Sequence, residues 1–296
     1  MNTSVREKTD GLFKLIFRTK GILVIAVLAG IFLMLLWNTT AFFLKVKPLD
    51  FISGTQWDPS GKGAVYGILP LLVSTFIVTF GAMAIAIPLG IGTAAFLSEY
   101  AGKRLKSILK PAIEMLAAVP SVAIGFLGIV LVGPGIAKMT GQSNGLNALN
   151  GAILLAVMAL PTIITVAEDA INAVPPSYRE ASYSVGANRW QTLRKVTIPS
   201  AAPGIIAAVM LGVGRAIGET MTVLMATGNV SAFPKGFFHS VRTITATIAI
   251  EMGEVPYQTT HYFALFAIAA VLFIITLLVN LAGEYFVNRF RKYEAV

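Results

Sequence analysis

A chain of 296 residues that is 56% hydrophobic and only 12% charged, with a mean hydropathy of +0.77, carries about half of the roughly 25% charged residues of a soluble domain. That excludes an ordinary soluble enzyme and points to a protein solvated mostly by lipid. Zero cysteines exclude disulfides, thiolate zinc sites and cysteine nucleophiles, two histidines (His239 and His261) leave little for metal ligation, and a formal charge of +9 raises the question of where the basic residues lie.

Apolar stretches run over 21–44, 66–97, 112–133, 151–167, 201–227 and 262–283. About 20 residues at 1.5 Å each cross a hydrocarbon core of about 30 Å, and lipid forbids unpaired backbone, so these predict helices. The expectation is an all-α integral membrane protein with six transmembrane helices. The fourth stretch is short and is interrupted by Pro161; the second is long and carries Pro70 and Pro88. With the N-terminus inside, sixteen of the 23 basic residues fall in inside segments and six outside, Arg215 lying within a span. Both termini are therefore expected in the cytoplasm, and the charge reads as topology rather than as a nucleic-acid footprint.

In chain order, residues 1–20 read as a cytoplasmic tail and 21–44 as a retained anchor helix, with no small-residue cleavage site after it. The core domain is expected over 66–290. Loops 45–65 and 134–150 are rich in Gly and Pro and read as irregular outer connections. Outer residues 228–261 contain a helical-looking Thr243–Gly253, either interfacial or re-entrant. The nearest phosphate-loop candidate, Gly54 through Gly63, has Gly rather than Ser or Thr after Gly61-Lys62, misses the required spacing and lies in an outer loop, while Gly212, Gly214 and Gly218 sit inside a span with no preceding strand. Gly214 and Gly218 fit better as a small-residue stripe for close helix contact.

One inside segment, 170–200, is long and patterned. Pro175-Pro176 end the preceding helix. Ser177 is placed to cap a short helix with Tyr178, Ala181, Ser182 and Val185 on one face, and Gly186 stops it. Asn188 with Gln191 reads as a cap for a second helix, with Trp190 and Leu193 inward and Arg189, Arg194 and Lys195 outward. The segment is either an amphipathic surface hairpin or a docking element for a cytoplasmic partner. In the fifth span Arg215 and Glu219 lie at i, i+4, where they share a helix face and can pair. Each charge costs about 2.5–3.5 kcal/mol at a helix centre. They are either a register-fixing ion pair or a polar path in which Arg215 attracts an oxyanion and Glu219 moderates its hold.

Glu180-Ala181-Ser182, three residues, Gly186, nine residues, then Val196-Thr197-Ile198-Pro199 resembles the EAA loop of ABC-importer permeases, with Ser182, Val196 and Ile198 departing conservatively. Gly214-Arg215-Ala216-Ile217-Gly218-Glu219-Thr220-Met221, Val119-Pro120-Ser121-Val122 and Gly125-Phe126-Leu127-Gly128 resemble the PstC-type permeases of bacterial phosphate-specific ABC importers, as does the outer stretch from Arg242-Thr243 to Glu251-Met252-Gly253-Glu254. The resemblance implies a type I ABC importer permease fold in the bacterial cytoplasmic (inner) membrane. It implies a coupling loop in which Glu180, Ala181, Gly186 and Pro199 belong to a helix seated on the nucleotide-binding subunit. It also implies a phosphate path through Arg215 and Glu219, with no catalytic or metal-binding residue. The partners implied are a homologous PstA-type permease, a PstB-type ATPase dimer that uses the ATP, and an extracytoplasmic PstS-type phosphate-binding protein; this chain itself binds no cofactor and no nucleic acid. Competing expectations are a molybdate or sulfate permease, a secondary transporter and an intramembrane hydrolase.

Overall fold

The computed structural model describes residues 3–60 and 63–293; Gly61 and Lys62 of the phosphate-loop candidate lie outside them. The chain is built from helices α1 (Thr3–Phe43), α2 (Pro48–Ser53), α3 (Leu69–Glu99), α4 (Lys103–Ala117), α5 (Ser121–Leu127), α6 (Gly133–Thr140), α7 (Ala148–Asn172) and α8 (Pro176–Ser184). They continue with α9 (Arg189–Thr192), α10 (Ile198–Ser200), α11 (Ala202–Gly218), α12 (Met221–Ala226), α13 (Ile244–Glu251) and α14 (Thr260–Tyr293). A small antiparallel hairpin, β1 (Trp57–Asp58) and β2 (Val65–Tyr66), precedes α3.

Among the described residues, five helical segments are long and apolar enough to cross a membrane: Phe13–Phe43, Leu69–Glu99, Ser121–Thr140, Ala148–Asn172 and Thr260–Arg289. A sixth is a bent pair, Arg189–Ser200 and Ala202–Gly218, with 71° between its halves. The all-α, multi-pass expectation therefore holds. Helix α1 is helical from Thr3, so Lys14, Arg18 and Lys20 sit on the helix itself.

Helices in lipid gain nothing from hiding apolar surface, since the tails are as apolar as leucine, and are held by close packing instead. The tightest packing here joins α3 to α7, with α11 laid across α7 and α14 alongside α11. Small residues allow it: Ala82 and Ala86 of α3, Ala156 and Ala159 of α7 and Ala216 of α11 are buried together. At the centre sits Ile163, fully buried. A Cβ added at Gly90 of α3 would lie 2.6 Å from Ile163 Cγ2, and one added at Gly212 of α11 2.7 Å from Ile163 Cγ1. Both glycines are thus the space into which one branched side chain is keyed.

Several boundaries differ from the sequence expectation, each for a local reason. The fourth span is not broken by Pro161: α7 is one 25-residue helix through it, started by the Asn147 side chain, which accepts the Asn150 N–H at 3.0 Å. Proline removes one backbone bond, and packing on both flanks holds the helix together. The third span does not begin at 112. Residues 103–117 form the separate amphipathic helix α4, none of whose residues is buried, and Pro120 restarts the chain at Ser121. That span then runs past Gly133 and Pro134 to Thr140, through a π-helical turn at Gly128–Val132. Asn150 Nδ2 donates to the Gly128 and Gly145 carbonyls at 2.9 and 3.2 Å, serving polar groups this irregular backbone leaves over. Residues Ile244–Glu251 are helical as expected, and α13 is tucked inward: Ile244, Thr245, Ala246 and Thr247 are buried and the Ile244 N–H donates to Thr75 Oγ1 of α3 at 3.1 Å. Gly214 and Gly218 mark no close contact within the chain; only Asn280 Oδ1, at 3.8 Å, comes near the first.

Gly212→Ala is expected to destabilise the chain by about 1–3 kcal/mol through overpacking, and Ile163→Ala in the same chain to recover part of the loss. Thermal unfolding in detergent of both single variants and the double variant measures this coupling.

Candidate translocation and coupling site

At the end of the bundle where α3 and α7 finish, the chain builds a knob of two short helices. Prolines set its start: Pro175 adopts an extended conformation and Pro176 opens α8, with no side-chain cap, so Ser177 does not play the capping part expected of it. Gly186 ends α8 at φ +85°, a left-handed turn that strains any residue with a Cβ. Asn188 and Gln191 then form the expected capping box, each side chain accepting the other's backbone N–H at 2.9 Å. Between the two helices the Ser182 and Thr192 hydroxyls lie 2.9 Å apart, so the serine that departs from the Glu-Ala-Ala pattern staples α8 to α9.

Leu193 is buried as expected, against Ala167, Ile171 and Ile205. Trp190 is not: it is 60% exposed, as Val185 is at 84%. Tyr178 and Tyr183 are exposed too, and so are Glu180, Ala181, Gly186 and Pro199. The knob therefore presents an apolar and aromatic tip that no described residue covers. Its base is anchored by Arg179. Nε donates to Glu99 Oε1 at 2.8 Å, Nη1 to the Val174 carbonyl at 3.1 Å and Nη2 to the Ile171 carbonyl at 2.9 Å.

Arg215 and Glu219 do not pair. Helix α11 stops at Gly218, and Glu219 is extended at φ −69°, ψ 133°, so the i, i+4 relation is lost one residue too early. Arg215 Nη1 donates to Thr162 Oγ1 of α7 at 3.2 Å, and among the described residues the guanidinium forms no ion pair. Glu219 instead organises the break: its carboxylate accepts the Thr222 N–H at 3.3 Å and its carbonyl accepts the Thr245 hydroxyl at 2.8 Å. Both side chains are half-buried. The arrangement leaves an arginine inside a span with most of its donors unspent, beside a hydroxyl and an interrupted helix.

Two further polar hubs escaped the reading of the sequence. Glu168, 1% exposed, receives Lys106 at 2.6 Å and Lys110 at 3.3 Å, latching α4 onto α7. A carboxylate in an apolar run, opposite lysines spaced i, i+4, was the available signal. Burial works against the charge on Lys110, but Glu168 and Asp169 outweigh it and hold its pKa above the ordinary lysine value. That contribution is complete below the unfolded lysine pKa and is lost only as pH rises through the folded one, so the latch is charged at neutral pH. At the opposite end of the bundle, Glu251 of α13 collects Trp57 Nε1 at 3.1 Å, Arg242 Nη1 at 2.9 Å and His261 Nε2 at 2.8 Å. One carboxylate thus ties the hairpin, α13 and α14 together, a convergence that separations of nine to 194 positions hide from sequence reading. Among the described residues no cluster of three or more metal-ligating side chains occurs.

The family pattern for the inner membrane components of binding-protein-dependent transport systems matches residues 86–292, and the chain belongs to that family. Within it the chain is of the PstC type. It is 33% identical over 83% of both chains to the phosphate transport system permease protein PstC 1 of Mycobacterium tuberculosis. It is 32% identical to PstC of Mesorhizobium japonicum, covering 95% of this chain and 90% of that one. A probable ABC transporter permease, YqgH of Bacillus subtilis, is 39% identical over 82% of this chain and 79% of its own length. Among solved structures, a bacterial alginate ABC transporter superposes with a TM-score of 0.63 at 14% identity over 98% of each chain. The MetNI methionine transporter gives 0.57 at 21% identity, covering 76% of this chain and 94% of that one; both likenesses speak to the fold. The chain is thus an ABC-importer permease subunit of the inner membrane and not an enzyme.

Replacing Glu251 with Ala strands Arg242 and His261 without their shared acceptor and is expected to lower stability by about 3 kcal/mol. The melting temperature in detergent reports the loss, and a shift in Trp57 fluorescence reports the broken indole bond.

Proposed function

We propose that this chain forms one half of the translocation path of an ATP-driven phosphate importer, with both termini in the cytoplasm and Arg215 as the residue that draws phosphate into the membrane. The observation that carries the reading is the unpaired guanidinium of Arg215. A charge inside a span costs about 2.5–3.5 kcal/mol, and here no carboxylate among the described residues pairs with it. A planar fork with free donors suits a tetrahedral oxyanion. Thr162 holds the fork in place. Glu219, four residues on, keeps a carboxylate near the path without quenching the arginine, so phosphate is attracted but not trapped. The PstC names of the relatives support phosphate over molybdate or sulfate.

In this reading the second half of the path is a homologous PstA-type subunit, a PstS-type binding protein delivers phosphate at the outer face, and a PstB-type ATPase dimer uses the ATP. The exposed tip formed by Tyr178, Val185 and Trp190, around Glu180, Ala181, Gly186 and Pro199, supports docking on an ATPase over lying on a lipid surface. It is a rigid helix–glycine–helix unit, joined to α7 by prolines and to α11 by a sharp bend. A rigid unit passes on a rigid-body motion. ATP-driven closure of the ATPase dimer moves the knob, and the spans bearing Thr162 and Arg215 open alternately to either side.

Labelled phosphate uptake in a permease-deleted bacterium complemented with this chain is expected to require ATP and to yield to arsenate but not to sulfate or molybdate; competition by sulfate or molybdate would reassign the substrate. Arg215→Ala is expected to leave insertion and assembly intact and to reduce uptake to background. Gly186→Pro is expected to abolish stimulation of the ATPase, measured on the purified complex; undiminished stimulation would remove the knob from the docking role.

A further inference from the structure

The two prolines that separate α7 from α8 create a mechanical problem. Pro175 is extended, so no helical hydrogen bonding runs from the span into the knob, and a displacement of the knob would be absorbed at this elbow unless something braced it. Arg179 is the side chain that spans the elbow. Its two terminal nitrogens hold the Ile171 and Val174 carbonyls on the near side, and its Nε holds Glu99, the last residue of α3. All three bonds come from one planar fork, largely shielded from solvent, and the bond to Glu99 is charge-assisted. A further link from α3 to α7 lies close by, Ser98 Oγ donating to Asn172 Oδ1 at 2.7 Å. On the other side of the knob no side chain among the described residues makes an equivalent brace: α10 meets α11 across a 71° bend with Ala201 between them.

We infer that Arg179, through Glu99, is the positioning residue that makes the knob, α7 and α3 move as one body, so that the motion of the ATPase reaches the path through the α3–α7 pair while the Ala201 bend serves as the hinge. The inference rests on the proposed docking of the knob on an ATPase. A guanidinium that merely capped α7 would need the carbonyls alone; the third bond, to a different span 80 positions away, is what turns a cap into a brace. Because Arg179 points back into the bundle while Glu180 is exposed at the tip, adjacent residues divide the work: one faces the membrane helices and the other the docking surface.

The test uses the complete complex, this chain with its permease partner and ATPase, reconstituted in liposomes with the binding protein present. Phosphate imported and ATP hydrolysed are measured in the same vesicles, together with the amount of ATPase that co-purifies. Arg179→Ala and Glu99→Gln are each expected to retain the ATPase and to hydrolyse ATP, while phosphate moved per ATP falls about tenfold, inside the range that coupling energies span. Arg179→Lys, which keeps the charge opposite Glu99 but not the fork, is expected to fall between. A purely structural role would lower the yield of folded complex and leave the ratio unchanged; if Arg179→Ala assembles poorly, the near-isosteric Glu99→Gln decides the question by the same ratio. A wild-type ratio in Glu99→Gln, with Gly186→Pro uncoupled in parallel, overturns the brace and leaves the docking reading standing. A wild-type chain that retains no ATPase overturns the docking reading and the brace with it.

Discussion

Ile163 is keyed between Gly90 of α3 and Gly212 of α11, and the geometry of the rest of the membrane bundle follows from that contact. A branched side chain with no room to move sets the depth at which three helices meet and the rotation each must adopt. Once that rotation is set, Thr162 faces Arg215, three residues beyond Gly212. The same registration carries the ends of α3 and α7 together, so that Glu99 and the final carbonyls of α7 converge on Arg179. Packing at one buried residue thereby places both the polar feature inside the membrane and the knob outside it.

The polar groups fall into three tiers along the bundle, and each does different work. At one end a carboxylate, Glu251, collects an indole, a guanidinium and an imidazole and ties the hairpin and α13 to α14. Midway, a helix break at Glu219 spends the acid's oxygens on backbone and hydroxyl donors, which leaves Arg215 uncompensated. At the other end Lys106 and Lys110 meet Glu168, and Arg179 meets Glu99. The carboxylates Glu251, Glu168 and Glu99 at the ends are paired, and Arg215 in the middle is not. A transport path calls for that distribution, because a paired arginine has no donors left for a passing oxyanion, whereas paired ends hold the frame that moves. Under the proposed function the unpaired charge is tolerated because the surrounding packing, anchored at Ile163, over-determines its position.

Under the proposed function, the knob is a case of a local pattern acquiring a mechanical role. Its proline start, left-handed glycine and capping box are all short-range features, each specified by residues within a few positions of one another. Their effect is a unit with few internal freedoms. The Ser182–Thr192 bond stiffens it further where the chain departs from the Glu-Ala-Ala pattern.

By itself, the amino-acid sequence determined that the chain is a multi-pass helical membrane protein, that a helix–glycine–helix element follows Pro175-Pro176, and that a cap forms at Asn188. These depend on composition and on neighbours along the chain, and lipid permits few alternatives to a helix. Arg215 stood out for the same reason, as a charge in an apolar run. Tertiary structure alone decided which charges pair. The periodicity that put Arg215 and Glu219 on one face assumed an unbroken helix, and the break at Glu219, closed by Thr222 and by Thr245 of α13, removed the pair. Pro161 and Pro120 illustrate the same limit: both lack an N–H, yet α7 runs unbroken through the buried Pro161, whereas at Pro120 the backbone is extended and separates α4 from α5. The bonds of Glu251 to Trp57 and of Arg179 to Glu99 join distant positions, so their existence depends on how the helices are assembled and not on any spacing along the chain.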